Sequence, residues 1–407
     1  MAFGSAISGL NAATSDLNTI GNNIANASTT GFKLSRAEFS DVYPASTFGT
    51  GGTTIGSGVQ LAAVAQQFTQ GNISTTNNNL DLAINGQGFF RLSNNGSIDY
   101  TRAGAFGVNS QGYITSSDGQ HLTGYLADSS GNITGALGDL QINTADIAPQ
   151  ATQNVTVGVN LNAADTAPTL AFNPTNSATY NNATSTTVYD SLGATHLATM
   201  YYVKTAANTW NTYLYVDGVQ RGGPDALGFT PSGALATVNG VAVPPSTINY
   251  SSFSPGSGAA NMTLALDYGQ STQFGSSFGV NSLTQDGYTT GQLTGVSIDS
   301  TGVVYANYSN SQSRAQGQVV LSNFANPQGL NPLGNTTWAE TASSGVALTG
   351  APGTASLGAI QSGALEQSNV NLTQQLVDMI TAQRNFEANA KTITTQSTLD
   401  QTIINMR

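Results

Sequence analysis

The sequence predicts a mainly β protein closed at both ends by α-helices. Two patterns carry that prediction. Residues 3–24 and 371–404 place apolar side chains at alternating steps of three and four, on one stripe of a helix. Nearly everything between them alternates apolar and polar residues and is punctuated by Asn, Gly and Pro turn signals.

At the front the stripe runs Phe3, Ile7, Leu10, Thr14, Leu17, Gly21, Ile24, and it stops near the turn formers of residues 26–31. Gly9 and Gly21 each cost about 1 kcal/mol relative to Ala. This helix is marginal alone and needs a partner to stay folded. Residues 44–60 are rich in Gly, Thr and Ser and predict a linker or extended arm.

Strand signals recur from about 61 to 145. Leu80-Asp81-Leu82-Ala83-Ile84 runs into Asn85-Gly86, which predicts a type I′ hairpin to Phe89-Phe90-Arg91-Leu92. A second turn at Asn94-Asn95-Gly96 leads to Ile98 and Tyr100, and short strands follow near 104–108, 112–115 and 121–126. From about 146 to 280 the strands lengthen and carry aromatics. Leu197, Thr199, Tyr201 and Val203 share one face and Trp210, Thr212, Leu214 and Val216 another, with a hairpin at Ala206-Ala207-Asn208. Alternation returns over 291–325.

A Gly/Ser/Ala-rich stretch, 343–363, then leads to the last helix. Asn371 with Gln374 three residues on predicts a capping box. Its stripe runs Leu372, Leu376, Met379, Gln383, Phe386, Ala390, Ile393 and on to Ile404, without Gly or Pro. At 1.5 Å per residue it is roughly 50 Å long. The first helix is shorter, so pairing within one chain leaves part of the stripe to find another subunit or to stay exposed as an aggregation liability. We therefore take Phe3, Ile7, Leu10, Leu17, Ile24, Leu372, Leu376, Met379, Phe386 and Ile393 as the assembly interface.

Composition narrows the function classes. Only 8% of residues are charged, against a usual share of about 25%. Net charge is −11, and the ten basic residues form no cluster, so no footprint for nucleic acid or an anionic membrane exists. Cysteine is absent, which excludes disulfides, thiolate metal sites and thiol catalysis. No window approaches 18 apolar residues, and the N-terminus lacks the basic and apolar regions of a cleavable signal.

The two histidines, His121 and His196, are too far apart for a His-x-x-x-His zinc site, and no Walker, nucleophile-elbow or dinucleotide motif occurs. A carboxylate pair such as Asp99 with Asp118 has nothing else in the sequence behind it. We expect no enzyme activity and no cofactor. Asn-x-Ser/Thr sequons at Asn26, Asn72 and Asn95 are chance matches in so Asn/Thr-rich a chain.

Several runs then resemble the axial proteins of the bacterial flagellum, the rod and hook family. At the front these are residues 8–13 (SGLNAA) and 20–33 (IGNNIANASTTGFK); at the back they are 363–372 (GALEQSNVNL), Met379-Ile380 and 383–386 (QRNF). Between them, 82–90 (LAINGQGFF) and 101–106 (TRAGAF) are typical of the family. Three middle motifs, 188–193 (VYDSLG), 286–291 (DGYTTG) and 321–330 (LSNFANPQGL), are more hook-like. One departure is Ser311, where the family usually has Gly.

The resemblance implies a discontinuous architecture with two nested β-domains. Residues 1–35 with 362–407 would form an inner coiled-coil domain, and 36–70 with 345–361 an extended arm. Residues 71–145 with 281–344 would form an inner β-domain, and 146–280 an outer β-domain inserted in it. The implied function is a hook subunit that self-assembles into a flexible tubular polymer, a universal joint that transmits torque from rod to filament. The implied partners are further copies of the chain, the distal rod protein, the hook cap and hook–filament junction proteins, and the flagellar type III export apparatus, which would carry the chain out of the cell uncleaved.

Two other readings fit part of the sequence. A distal rod protein shares both termini but typically lacks the block from 146 to 280. A secreted carbohydrate-binding or glycosidase β-protein leaves both terminal stripes unexplained.

Overall fold

The computed structural model describes residues 2–43, 56–256 and 258–406. The chain divides into two compact units. The first holds residues up to Thr144, Gly295–Asn307 and Ser313 onward; the second holds Ala145–Thr294 with Tyr308–Gln312.

In the first unit, helix α1 (Ala2–Ala25) leads into an antiparallel ribbon of Ser35–Val42 and Gly58–Gln66. The arm expected over 36–70 is thus a paired hairpin at its base, while residues 44–55 of the expected linker lie outside the described residues. Ile73–Thr75 pairs with Ala364–Glu366, and Leu82–Asn85 with Ala359–Ser362. The largest sheet runs through Val303–Tyr308, Ser313–Val319, His121–Ala127, Phe89–Asn94, Ser97–Thr101, Thr337–Ala339 and Asn331–Gly334.

Its core is aromatic. Phe89, Tyr100, Phe324, Leu330 and Trp338 are buried together, and Phe68 packs edge-on against Phe89 and Trp338 at 5.5 Å. Edge-to-face rings add about 1 kcal/mol each beyond their buried area. Trp338 Nε1 donates to Gln66 Oε1 at 2.6 Å, which ties the end of the ribbon to this core.

Two turns illustrate what spacing does and does not predict. Asn95 and Gly96 both have φ > 0 (50° and 95°) between Asn94 and Ser97, as a two-residue I′ loop requires. Asn85-Gly86 makes no such hairpin. Gly86 sits at φ 119°, and the strands on either side join different partners: Leu82–Asn85 pairs with Ala359–Ser362, Phe89–Asn94 with Ser97–Thr101. The carbonyl of Gly86 instead accepts from Arg102 at 2.8 Å.

The second unit is a sandwich. Asn154–Asn162 lies parallel to Ala265–Asp267 and Thr272–Phe274 and antiparallel to Gly279–Gln285. Residues 281–294, expected with the inner β-domain, therefore belong to this unit; Tyr288 and Gly291 bridge back to Gln150 and Ile147. The other sheet is a six-stranded meander from Asn182–Tyr189 to Val241–Ala242. Val155, Val157, Val159 and Leu161 pack against Ala198, Met200, Tyr202, Trp210, Leu214 and Val216 in one core. The predicted hairpin closes at Ala206↔Thr209 with Asn208 at φ 57°. Ser311 holds the left-handed conformation (φ 64°) that explains why glycine suits that position.

His196 staples two turns at one end of the meander. Nδ1 lies 2.6 Å from Asp217 Oδ2, and Nε2 lies 3.4 Å from the buried Asp190. Burial works to lower the His196 pKa, but hydrogen bonds and charge from Asp217 and Asp190 outweigh it and leave the value raised. A raised folded value means the charged staple contributes fully below the unfolded value of about 6.5 and is lost as pH rises through the folded value. Denaturant unfolding should therefore show this unit weakening above about pH 6.5, and His196→Gln should flatten that slope. An unchanged slope in the variant would remove His196 as its source.

Candidate assembly interface

Helix α2 (Leu372–Asn405) starts where the sequence places it. Asn371 Oδ1 accepts from the Gln374 N–H at 3.2 Å, but only half of the capping box forms, because the Gln374 side chain turns forward to Asp378 at 2.8 Å. The helix packs against α1, which also rests on the Ser35–Val42/Gly58–Gln66 ribbon.

The two helices run antiparallel. Asn23 Nδ2 donates to Gln375 Oε1 at 2.9 Å near one end, and Gly9 abuts Asn389 toward the other, where an added Cβ would lie 2.6 Å from Asn389 Oδ1. Carried along both helices, this register leaves α2 from about residue 397 onward beyond the start of α1; residues 397–406 are all exposed.

Alanines line much of the seam inside one chain, with Ile20, Asn23 and Gln375 beside them. Ala6, Ala13 and Ile20, each seven apart, are buried on α1, as are Gln375 and Ala382 on α2. Small side chains let the helices approach closely, so the bulky ones turn aside. Of the ten residues of the predicted stripe, Leu10, Leu17, Ile24, Met379, Phe386 and Ile393 are half-buried. Phe3, Ile7, Leu372 and Leu376 are exposed, joined on α2 by Val377 and Ile380, and none of the ten is fully buried. The predicted stripe flanks the chain's own seam and faces outward along much of its length.

Asp16, the only charge in the first 32 residues, lies near Gln375 and Asp378 of α2. Partial burial, and then the nearby Asp378 carboxylate, raise its pKa. A raised carboxyl favours the folded pair most below its ordinary value and loses that advantage as pH climbs through the raised one. Asp16→Asn should stabilise helix pairing at neutral pH, by roughly 0.3 kcal/mol once solvent screening is allowed for. Thermal melts followed at 222 nm would reverse this expectation if the variant melted lower at pH 7.

The polar root of the helix pair was not legible as such. Asn23 is buried, accepts from the Ser35 N–H at 2.9 Å, and donates to Ser35 O at 2.7 Å and to Gln375. Asn369 accepts from the Leu34 N–H and donates to Gln67 O, both at 2.7 Å. Beneath them Lys33, Arg102 and Glu366 form a buried cluster: Lys33 Nζ to Glu366 Oε1 at 2.6 Å, and Arg102 NH1 to Oε2 at 3.2 Å. Glu366 Oε1 also accepts from the Gly71 N–H at 2.8 Å, and Lys33 donates to Thr69 O. Burial lowers the pKa of both Lys33 and Arg102, with Glu366 pulling each back up. The cluster thus joins the chain just after α1, the β-body and the chain just before α2.

The imagined carboxylate pair gains nothing from the fold. Asp99 is buried and accepts from Gln120 Nε2 at 2.8 Å, whereas Asp118 is exposed on a turn. Among the described residues no group of three metal-binding side chains converges, and no helix is long and apolar enough to cross a membrane.

Comparison with known proteins agrees along the whole chain. Family models match in sequence order: Flagella basal body rod protein over residues 3–33 and Flagellar hook protein FlgE/F/G D1 domain over 83–160. Flagellar basal body protein FlaE D2 domain follows over 160–288 and Flagellar basal body rod FlgEFG protein C-terminal over 361–406.

The chain is 39% identical to the flagellar hook protein FlgE of Escherichia coli (strain K12), over 100% of both. It is 35% identical to the FlgE of Borreliella burgdorferi, over 99% of this chain and 98% of that one. The crystal structure of Helicobacter pylori flagellar hook protein FlgE2 shares the fold, with a TM-score of 0.53 at 14% identity over 72% of this chain and 100% of that one. Terminal helices, intervening β-units and full-length relatives lead to one conclusion: the chain belongs to the flagellar hook protein family.

Proposed function

We propose that this structural subunit of the hook polymerises through the outward faces of α1 and α2. The observation behind this reading is the apolar surface of α2 that α1 does not cover, above all residues 397–406. Other copies of the chain supply the missing partner, because antiparallel pairing within one chain runs out of α1. Phe3, Ile7, Leu372 and Leu376 lie on the same outward faces and extend the contact.

Repeated around an axis, such contacts give a tubular helical polymer with the helices innermost and the β-units outward. A weakly charged, Asn/Thr/Gly-rich surface leaves the outer contacts weak and able to slide, as a bending joint that transmits torque from rod to filament requires. The role is mechanical, without catalysis. In this reading the ends of the polymer meet the distal rod protein, the hook cap and the hook–filament junction proteins. Subunits arrive through the type III export apparatus, for which a cysteine-free chain with few charges is suited.

Electron microscopy of the full chain under polymerising conditions tests this directly, beside a core of about residues 70–360 lacking both helices. Hollow tubes from the first and none from the second are expected. Tubes from the core alone would move the assembly contacts to the β-units.

A further inference from the structure

Three Asn-Gly pairs occur in the chain: Asn85-Gly86, Asn95-Gly96 and Asn239-Gly240. Such pairs can undergo a spontaneous reaction. The backbone nitrogen of the glycine attacks the side-chain Cγ of the asparagine and the nitrogen's proton is lost. The Cγ–NH2 bond breaks, ammonia departs and a cyclic succinimide remains. Water then opens the ring at either carbonyl, which gives aspartate or the β-linked isoaspartate. No oxidant or enzyme is needed. Glycine favours the reaction because no Cβ shields its nitrogen, so local structure decides which pair reacts.

The fold treats the three pairs differently. Asn239-Gly240 also closes an exposed two-residue hairpin (φ 50° and 79°), but Asn239 is pinned: its Oδ1 accepts from the Ala226 N–H at 2.7 Å, and its Nδ2 donates to Asp225 Oδ1 at 2.8 Å. At Asn85-Gly86 the nucleophile is engaged, since the Gly86 N–H donates to Gln70 Oε1 at 3.0 Å. Asn85 is also held in the ladder opposite Ala359, and Gly358 packs against Gly86. Asn95 has neither restraint. It is exposed at the tip of a two-residue loop, its side chain reaches only Asn94 Oδ1 at 3.5 Å, and nothing lies within 4 Å of where a Gly96 Cβ would stand.

We propose that Asn95 is a site of spontaneous deamidation in the folded protein, and that Asn85 and Asn239 are protected by the hydrogen bonds that hold Gly86 N–H and the Asn239 amide. Reaction at Asn239 must first break two side-chain hydrogen bonds, and at Asn85 it must free the Gly86 N–H, whereas Asn95 loses almost nothing; at about 1.4 kcal/mol this makes Asn95 about tenfold faster than either. The product changes the hairpin. Isoaspartate inserts a methylene into the backbone where the I′ loop needs two consecutive residues at φ > 0, which loosens Asn94↔Ser97 beside the buried Leu92 and Tyr100. Either product adds one negative charge to a chain already at −11.

The test is to incubate the folded full-length chain at mildly alkaline pH and 37 °C, with a parallel sample in concentrated urea, and to follow all three peptides by mass spectrometry. Early modification at Asn95 in the folded sample, with the three sites drawing level in urea, is the expected result. Equal or faster reaction at Asn85 or Asn239 in the folded sample would overturn the assignment. So would an intact Asn95 after the urea sample has reacted to completion.

Discussion

Glu366→Ala should destabilise the first unit by about 3–5 kcal/mol, enough to lower its urea midpoint markedly. The carboxylate compensates two cations at once, Lys33 at 2.6 Å and Arg102 at 3.2 Å, in a site where the Lys33 side chain and the carboxylate itself have no solvent contact. Remove it and two positive charges remain, with Thr69 O and Gly86 O as acceptors among the described residues, and the Gly71 N–H loses its partner. Desolvation of those groups, rather than the loss of an attractive contact, sets the size of the effect.

Full replacement should undo most of the effect. A triple variant with Lys33→Met, Arg102→Met and Glu366→Leu exchanges the whole cluster for apolar volume and should regain most of the loss. A single variant that costs under about 1 kcal/mol would show that water reaches the cluster and screens it. Because the cluster ties the chain after α1 to the chain before α2, Glu366→Ala should also loosen the helix pair, visible as earlier loss of signal at 222 nm.

How much of this was written in the sequence depends on the range of the interaction. Both helices, the Asn371 cap, the Asn95-Gly96 turn and the Ala206–Asn208 hairpin are local, set by residues within one turn or one ladder step, and spacing predicts them. The Asn85-Gly86 hairpin failed for the opposite reason: its strands are claimed by Ala359–Ser362 and Ser97–Thr101, and long-range pairing overrides a strong local turn preference.

The buried cluster was invisible because its members stand at 33, 102 and 366, each unremarkable alone. A signal did exist, since so few charges occur that one inside an apolar stretch is costly unless paired. A repeated turn is also legible in the sequence. At Asn109, Ser116, Asp128, Asp190, Thr230 and Asp299, a glycine three residues on takes φ between 81° and 89° and donates to the first carbonyl. Meanwhile the first side chain accepts from a backbone N–H four residues on, as Asp190 does from Ala194 and Asp299 from Val303. That pattern lets a chain poor in charge shape a β-body from Asn, Asp, Ser, Thr and Gly.

The helix seam carries the other large prediction. Heptad spacing located the stripe but not the division of labour within it, because an apolar Leu satisfies an inner and an outer contact equally well. The fold separates the two: small residues at 6, 13 and 382 face inward, and Leu376 and Ile380, one turn apart, stand 48% and 50% exposed.

Leu376→Gln with Ile380→Gln should therefore leave the chain folded, at a cost below about 1 kcal/mol, since glutamine is a good helix former and both sites are open. Completing the burial of each half-covered side chain against a neighbouring copy is worth about 1 kcal/mol, so losing both raises the critical concentration for polymerisation by about 30-fold. Sedimentation of polymer across a concentration series would measure it. Ala382→Leu should do the reverse: overpack the seam, cost about 2 kcal/mol of helix pairing, and weaken assembly only as far as the helices separate. If the double glutamine variant polymerised at the wild-type concentration, the outward face of α2 would not be the contact, and the surface that joins one copy to the next would have to lie on the β-units.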